Sequence, residues 1–138
     1  MRKALEAGTW AVMAVLFFSS CGGDGPVSVS PGPGELTADL LSPNSDDWGL
    51  VFRVTTDAPK SILEIRPACT CKLHVRSANE RDFRGIILGG LEPGGKLIYV
   101  RVSDASEPSA YTFSVSEVAA QSGDPRPDVA GYAIVVRR

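Results

Sequence analysis

Glu92-Pro93-Gly94-Gly95 runs straight into Lys96-Leu97-Ile98-Tyr99-Val100-Arg101-Val102, and this stretch, EPGGKLIYVRV, decides how the chain is read. Pro93 supplies the fixed φ, and Gly94 the positive φ, of a type II turn. The residues after it, mostly β-branched, aromatic or leucine, read as a strand. Gly90 to Leu97 (GLEPGGKL) also comes close to the phosphate-cradling loop G-x-x-x-x-G-K-[ST]. That motif needs a hydroxyl after the lysine for magnesium, which Leu97 lacks. It also needs a helix to follow, so that amide donors face the phosphates, and KLIYVRV is a strand. A hairpin turn is the better reading.

On either side of this stretch the same pattern of short strands and turn signals repeats. Ala110 to Val118 and Tyr132 to Arg137 are the other clearest strands. Upstream, Leu36, Ala38 and Leu40 alternate with Thr37 and Asp39, and Pro43-Asn44-Ser45-Asp46-Asp47 breaks the run as turn-forming side chains do. Leu50, Phe52 and Val54 share one face of the next strand, with Arg53 and Thr55 on the other. Asp57 to Lys60 is a turn, and Ile62 to Ile65 is short and apolar. Pro67 excludes a central strand there, because it donates no ladder hydrogen bond. From Cys71 to Arg76 the chain alternates, with Cys71, Leu73 and Val75 inward and Lys72, His74 and Arg76 outward. In the strand Phe83 to Leu88, Gly85 marks a bulge or a close backbone approach. Ser103 to Ser109 and Ala119 to Ala130 are loops.

No window past the N-terminal segment has a 3.6-residue apolar period, so helices are expected to be rare. About eight short strands over residues 35–138 indicate an antiparallel β-sandwich. Leu50, Phe52, Val54, Tyr111, Phe113, Val115, Ile134 and Val136 are its expected core.

The first 24 residues, MRKALEAGTWAVMAVLFFSSCGGD, set where the rest works. Arg2 and Lys3 precede an unbroken apolar run from Trp10 to Phe18, which small residues close at Ser19, Ser20 and Cys21. A run that short cannot cross about 30 Å of hydrocarbon as a helix and reads as an export signal. Ordinary cleavage and release is one outcome. The ending F-S-S-C-G-G resembles the lipobox of bacterial lipoproteins, with Phe18 where that family has leucine and Glu6 unusual in the basic segment. The resemblance implies removal of residues 1–20, lipidation of Cys21 as the new N-terminus, and anchoring in the cell envelope by the acyl chains. Gly22 in place of aspartate favours the outer membrane, on its periplasmic or surface face. Residues 21–34 then form the lipidated cysteine and a Gly/Pro/Ser tether, which has too little apolar surface to offset the entropy of ordering it.

Removing residues 1–20 leaves 118 of the 138, enough for a single domain. Without Arg2, Lys3 and Glu6 the remainder has 12 basic and 15 acidic residues, a net charge of −3. That balance gives no reason to expect nucleic acid as a partner. If Cys21 is acylated, Cys69 and Cys71 are an even remainder in an oxidising compartment, and a bridge between them and two free buried thiols both stay open. A bridge over so short a spacing needs a local kink.

A second resemblance covers residues 35–138. The run G-E-L-T, the turn P-N-S-D-D-W, then G-L-V-F-R-V, G-G-L-E-P-G-G-K-L-I-Y-V-R-V and G-Y-A-I-V-V resemble a group of small envelope lipoproteins of unassigned function. Their immunoglobulin-like sandwich is similar to the cohesin type. The resemblance implies an immunoglobulin-like body. Cohesins bind dockerin modules through one sheet face, but no position here matches a contact of that family, so no partner carries over.

The chemistry-bearing residues argue against catalysis. His74 is the single histidine and has no identifiable nucleophile partner, and neither G-x-S-x-G nor H-E-x-x-H occurs. Cys69, Cys71 and His74 are soft ligands, but alternation sets His74 opposite Cys71 and a fourth zinc ligand is missing, so no metal or cofactor is expected. Asn44, Asp46 and Asp47 lack the glycine and distal glutamate of an EF-hand loop and read as turn residues. Trp48, Tyr99 and Tyr111 would suit a sugar-stacking platform, although aromatics in a sandwich are usually core. The expected function is a membrane-anchored, non-catalytic binding or adhesion module for a protein or glycan. The alternatives are a self-associating structural subunit of the envelope and a thiol or metal site at Cys69 and Cys71. Mass spectrometry of the mature N-terminus is expected to find Cys21 acylated, with Cys21→Ser releasing the protein; an unmodified start would contradict this.

Overall fold

The computed structural model describes residues 29–138, so the signal segment and Cys21 lie outside the described residues. Eight strands follow one another: β1 (Gly34–Leu41), β2 (Asp47–Thr56), β3 (Ile62–Pro67), β4 (Lys72–Asn79), β5 (Asp82–Leu88), β6 (Lys96–Val102), β7 (Tyr111–Ala120) and β8 (Ala133–Arg137). Among the described residues the only helical element is the 3₁₀ turn Pro108–Ala110, and no helix is long and apolar enough to cross a membrane.

The strands form two four-stranded antiparallel sheets packed face to face, β3-β6-β1-β8 and β4-β5-β2-β7. β4-β5-β2 in one sheet and β3-β6 in the other follow the immunoglobulin order, in which strands four, five and two share a sheet and three and six the other. The remaining positions are exchanged: β7 flanks β2 and β1 flanks β6. Pro67 ends β3 at a sheet edge, the position its missing N–H dictates.

The turn before β6 has the expected form, with φ of 74° at Gly94 and the Gly95 amide donating to the Glu92 carbonyl at 2.9 Å. It does not make a hairpin, because β5 and β6 belong to opposite sheets. The Gly94 amide donates to Leu40 O and the Leu40 amide to Gly95 O, so the turn closes on the end of β1. At the other end of β1, Ala105 N donates to Gly32 O at 2.9 Å, which ties the Gly/Pro stretch to the body from Gly32 onward.

Period-two alternation builds the core. Leu36, Ala38 and Leu40 of β1, Leu50, Phe52 and Val54 of β2, Ile98, Val100 and Val102 of β6, and Ile87 are all essentially inaccessible to solvent. Of the expected core, Tyr111 is buried too, whereas Phe113, Val115, Ile134 and Val136 are only partly buried against it. These four belong to β7 and β8, which lie at sheet edges where cover from the opposite sheet is incomplete. β6 supplies more of the centre because it lies between β3 and β1.

Gly85 sits in unbroken register opposite Phe52 and is a close approach, not a bulge. A Cβ there would come within 2.3 Å of the Phe52 ring carbons. Gly85→Ala is therefore expected to destabilise the fold by about 1–3 kcal/mol through overpacking, read as a lower denaturation midpoint; an unchanged midpoint would contradict the packing.

Candidate functional site

Alternation that points Leu50, Phe52 and Ile87 inward points their sequence neighbours out. On the β4-β5-β2-β7 sheet the register gathers these outward residues into rows that cross the strands. One row is Lys72, Leu88, Gly49 and Ala119; the next is His74, Ile86, Val51 and Glu117. The third is Arg76, Arg84, Arg53 and Ser114, three guanidinium groups on adjacent strands. Between Val51 and Phe52 the register on β7 shifts so that Ser116 is an extra residue, a bulge that bends β7 beside the apolar rows.

Like charges directly opposite one another in a sheet cost stability. Arg53 is relieved directly: its Nε donates to Asp82 Oδ1 at 2.8 Å and its Nη2 to Oδ2 at 2.6 Å, while Arg84 feels the same carboxylate only at longer range. The Arg53 hydrogen bond is the main cause that holds the Asp82 carboxyl below the ordinary aspartate pKa. Arg76 and Arg84 have no acidic partner within salt-bridge distance among the described residues.

Beside the arginines the face is apolar. Trp48, Ile86 and Leu88 are 46%, 44% and 43% exposed. Val51, Ile86 and Leu88 floor a groove of about 440 Å³, walled by Pro125, Pro127 and Val129 from the loop between β7 and β8. Val51 and Ile86 also line a second hollow of about 430 Å³ with His74, Arg76 and Arg84. Leu88 and Trp48 line a third beside Cys69 and Cys71. Shared residues make these one continuous surface, with Lys72 beside Trp48 and Leu88 at one end and the arginines at the other.

The loop that walls the groove is held from both ends. Ala120 N donates to Asp124 O at 2.9 Å and Arg126 N to Val118 O at 2.8 Å, which lays the loop along β7. Asp47, fully buried, accepts from Arg126 Nε at 3.0 Å and from the Tyr132 hydroxyl at 2.9 Å on the same oxygen, while Ser42 Oγ donates to the other. Asn44 Nδ2 donates to the Tyr132 hydroxyl at 2.7 Å. Arg126 also pairs with Asp46. The Asn44, Asp46 and Asp47 cluster is thus a clamp on a distant loop, which goes beyond the turn role expected of it.

On the other sheet's outward face most of the arginines are paired with carboxylates. Arg66 pairs with Glu35 and lies 5.6 Å from the centre of the Tyr99 ring, Arg101 lies 3.9 Å from Glu64, and Arg137 pairs with the buried Asp39. Signs alternate across that face, so these three arginines find carboxylate partners on the same surface.

The other residues singled out by sequence disperse. Cys69 and Cys71 are bonded to each other, Cα atoms 5.2 Å apart, at the corner where the chain passes from β3 to β4; β4 begins only at Lys72, so Cys71 is not a strand residue. His74 is on the outward face opposite Ile86. Among the described residues no group of three or more His, Cys, Asp or Glu side chains is placed to hold a metal ion. Trp48, Tyr99 and Tyr111 do not form one platform. Tyr99 belongs to the opposite sheet, and Tyr111 is buried with its hydroxyl donating to Asp104 O at 2.9 Å. Sequence reading missed the arginine row, whose members are far apart in sequence. Comparison with protein-family models, curated proteins and solved structures gave no match.

The Arg53–Asp82 pair makes the charge of this face depend on pH. Because the folded-state pKa of Asp82 is lowered, the pair's contribution to stability is present above the unfolded value of about 3.9 and is lost as pH falls through the folded one. An NMR titration is expected to place the Asp82 midpoint below about 3.9, with Arg53→Gln moving it back up; equal midpoints in the two proteins would contradict the pairing.

Proposed function

We propose that this protein is a lipid-anchored, non-catalytic binding module of the cell envelope, held through Cys21, whose recognition surface is the outward face of the β4-β5-β2-β7 sheet. The observation that carries this reading is the arginine row beside exposed Trp48, Ile86 and Leu88, opposite a face on which Arg66, Arg101 and Arg137 are each paired with a carboxylate. Protein interfaces are enriched in arginine and aromatic residues around an apolar centre, and contiguous exposed apolar surface marks interaction sites.

The alternative of a subunit that self-associates through open edges has less support. β3 ends in Pro67, β8 is only five residues long, Pro125 bridges to Ala119 at the outer side of β7, and β4 carries Lys72 and Arg76. Each is a device that opposes edge-to-edge pairing of identical chains.

The test is affinity capture from detergent-solubilised envelope with the full protein as bait. The wild type is expected to retain one stoichiometric partner, and Arg84→Glu or Leu88→Asp to lose it without a fall in melting temperature. Equal capture by both variants, or self-association alone, would overturn the reading.

A further inference from the structure

We propose that the partner engages β4 through an extended acidic segment, which adds as a further strand to the open edge of this sheet. The inference rests on the recognition surface proposed above and names the chemistry that occupies its margin. β4 is eight residues long, pairs with β5 along one side, and has no strand on the other side among the described residues. It contains no proline, and its register with β5 is regular from Lys72 to Ser77. Val75 faces inward, opposite Gly85, yet is 39% exposed, and Leu73 is only half-buried. As at the other sheet edges, cover from the opposite sheet is incomplete here, and an added strand would bury part of this apolar surface.

The outward side of the same strand fixes the charge of the occupant. Lys72, His74 and Arg76 project there at alternate positions, and none has an acidic partner among the described residues. A second copy of this chain is a poor fit. Two β4 strands paired antiparallel about His74 would set Lys72 of each opposite Arg76 of the other, and like charges so placed repel. An incoming strand with carboxylates at alternate positions pairs with Lys72 and Arg76 and accepts a hydrogen bond from His74, and its intervening aliphatic side chains cover Leu73 and Val75. Main-chain hydrogen bonds supply affinity in this mode and alternate side chains supply specificity. A glycan fits less well beside His74, Arg76 and Arg84, where the outward hollow is lined by aliphatic Ile86 and Val51 and by no aromatic ring on which a sugar would stack.

The probe is a capped eight-residue peptide alternating glutamate and valine, matched in length to β4. Titration calorimetry and amide hydrogen exchange on the full protein are expected to give saturable binding with new protection confined to β4. Lys72→Glu combined with Arg76→Glu should weaken binding about tenfold, from the reversal of two cross-strand charge pairs. N-methylation of alternate peptide amides should abolish it. Equal binding by a peptide of the same composition with the glutamates in one block would overturn the proposal, as would binding without protection of β4. So would binding of an acidic oligosaccharide where the peptide fails. If the peptide fails while Arg84→Glu still loses the envelope partner, the edge proposal falls and the face remains; if Arg84→Glu changes nothing as well, both fall.

Discussion

Phe52 lies across the backbone of Gly85, and that contact fixes the register on which the rest of the molecule depends. β2 is flanked by β5 and β7, so its alignment passes to both neighbours. With the Phe52 ring seated where Gly85 has no side chain, Leu50, Val54 and Ile87 turn inward together. A slip of one residue would turn every outward side chain of β2 or β5 into the core, and Arg53 or Arg84 with them. The desolvation of unpaired guanidinium groups makes such a slip prohibitive. The packing of the core and the composition of the outer face are therefore one constraint seen from two sides.

The two outer faces use their charge differently. On β3-β6-β1-β8, glutamates and arginines alternate across strands and neutralise one another at the surface. On β4-β5-β2-β7, three arginines stand in line with one aspartate, beside aliphatic side chains exposed to water. Apart from the Arg53–Asp82 pair, this arrangement costs stability and leaves apolar area wet, and the partner proposed above would offset both by supplying carboxylates and apolar cover. The buried Asp47–Arg126 clamp belongs to the same picture, since it fixes the proline-bearing loop that walls the apolar groove.

How much of this was legible in the chain depended on the range of the interaction. Alternation is local, so the strands, the inward set of β2 and the turn at Gly94 could be read from neighbouring residues. Pro67 marked an edge for reasons contained in the residue itself, whereas Gly85 marked either a bulge or a close approach, and only its register opposite Phe52 decides for the second. Sheet order is not local: EPGGKLIYVRV reads as the second arm of a hairpin, and only the whole fold sends its two flanking strands to opposite sheets. Asp47 reads as a turn residue because its partner Arg126 is 79 positions away. The arginine row was hidden for the same reason, since Arg53, Arg76 and Arg84 become neighbours only through the pairing of three strands.

The central claim is that one face of one sheet meets the partner. It is tested most directly by a photoreactive amino acid placed at Ile86, on the arginine-bearing face, or at Thr37, on the charge-paired face, and activated in intact cells. Cross-linking from position 86 to a single discrete species, with none from position 37, is the result this account predicts. The same products from both positions, or products from position 37 alone, would contradict it.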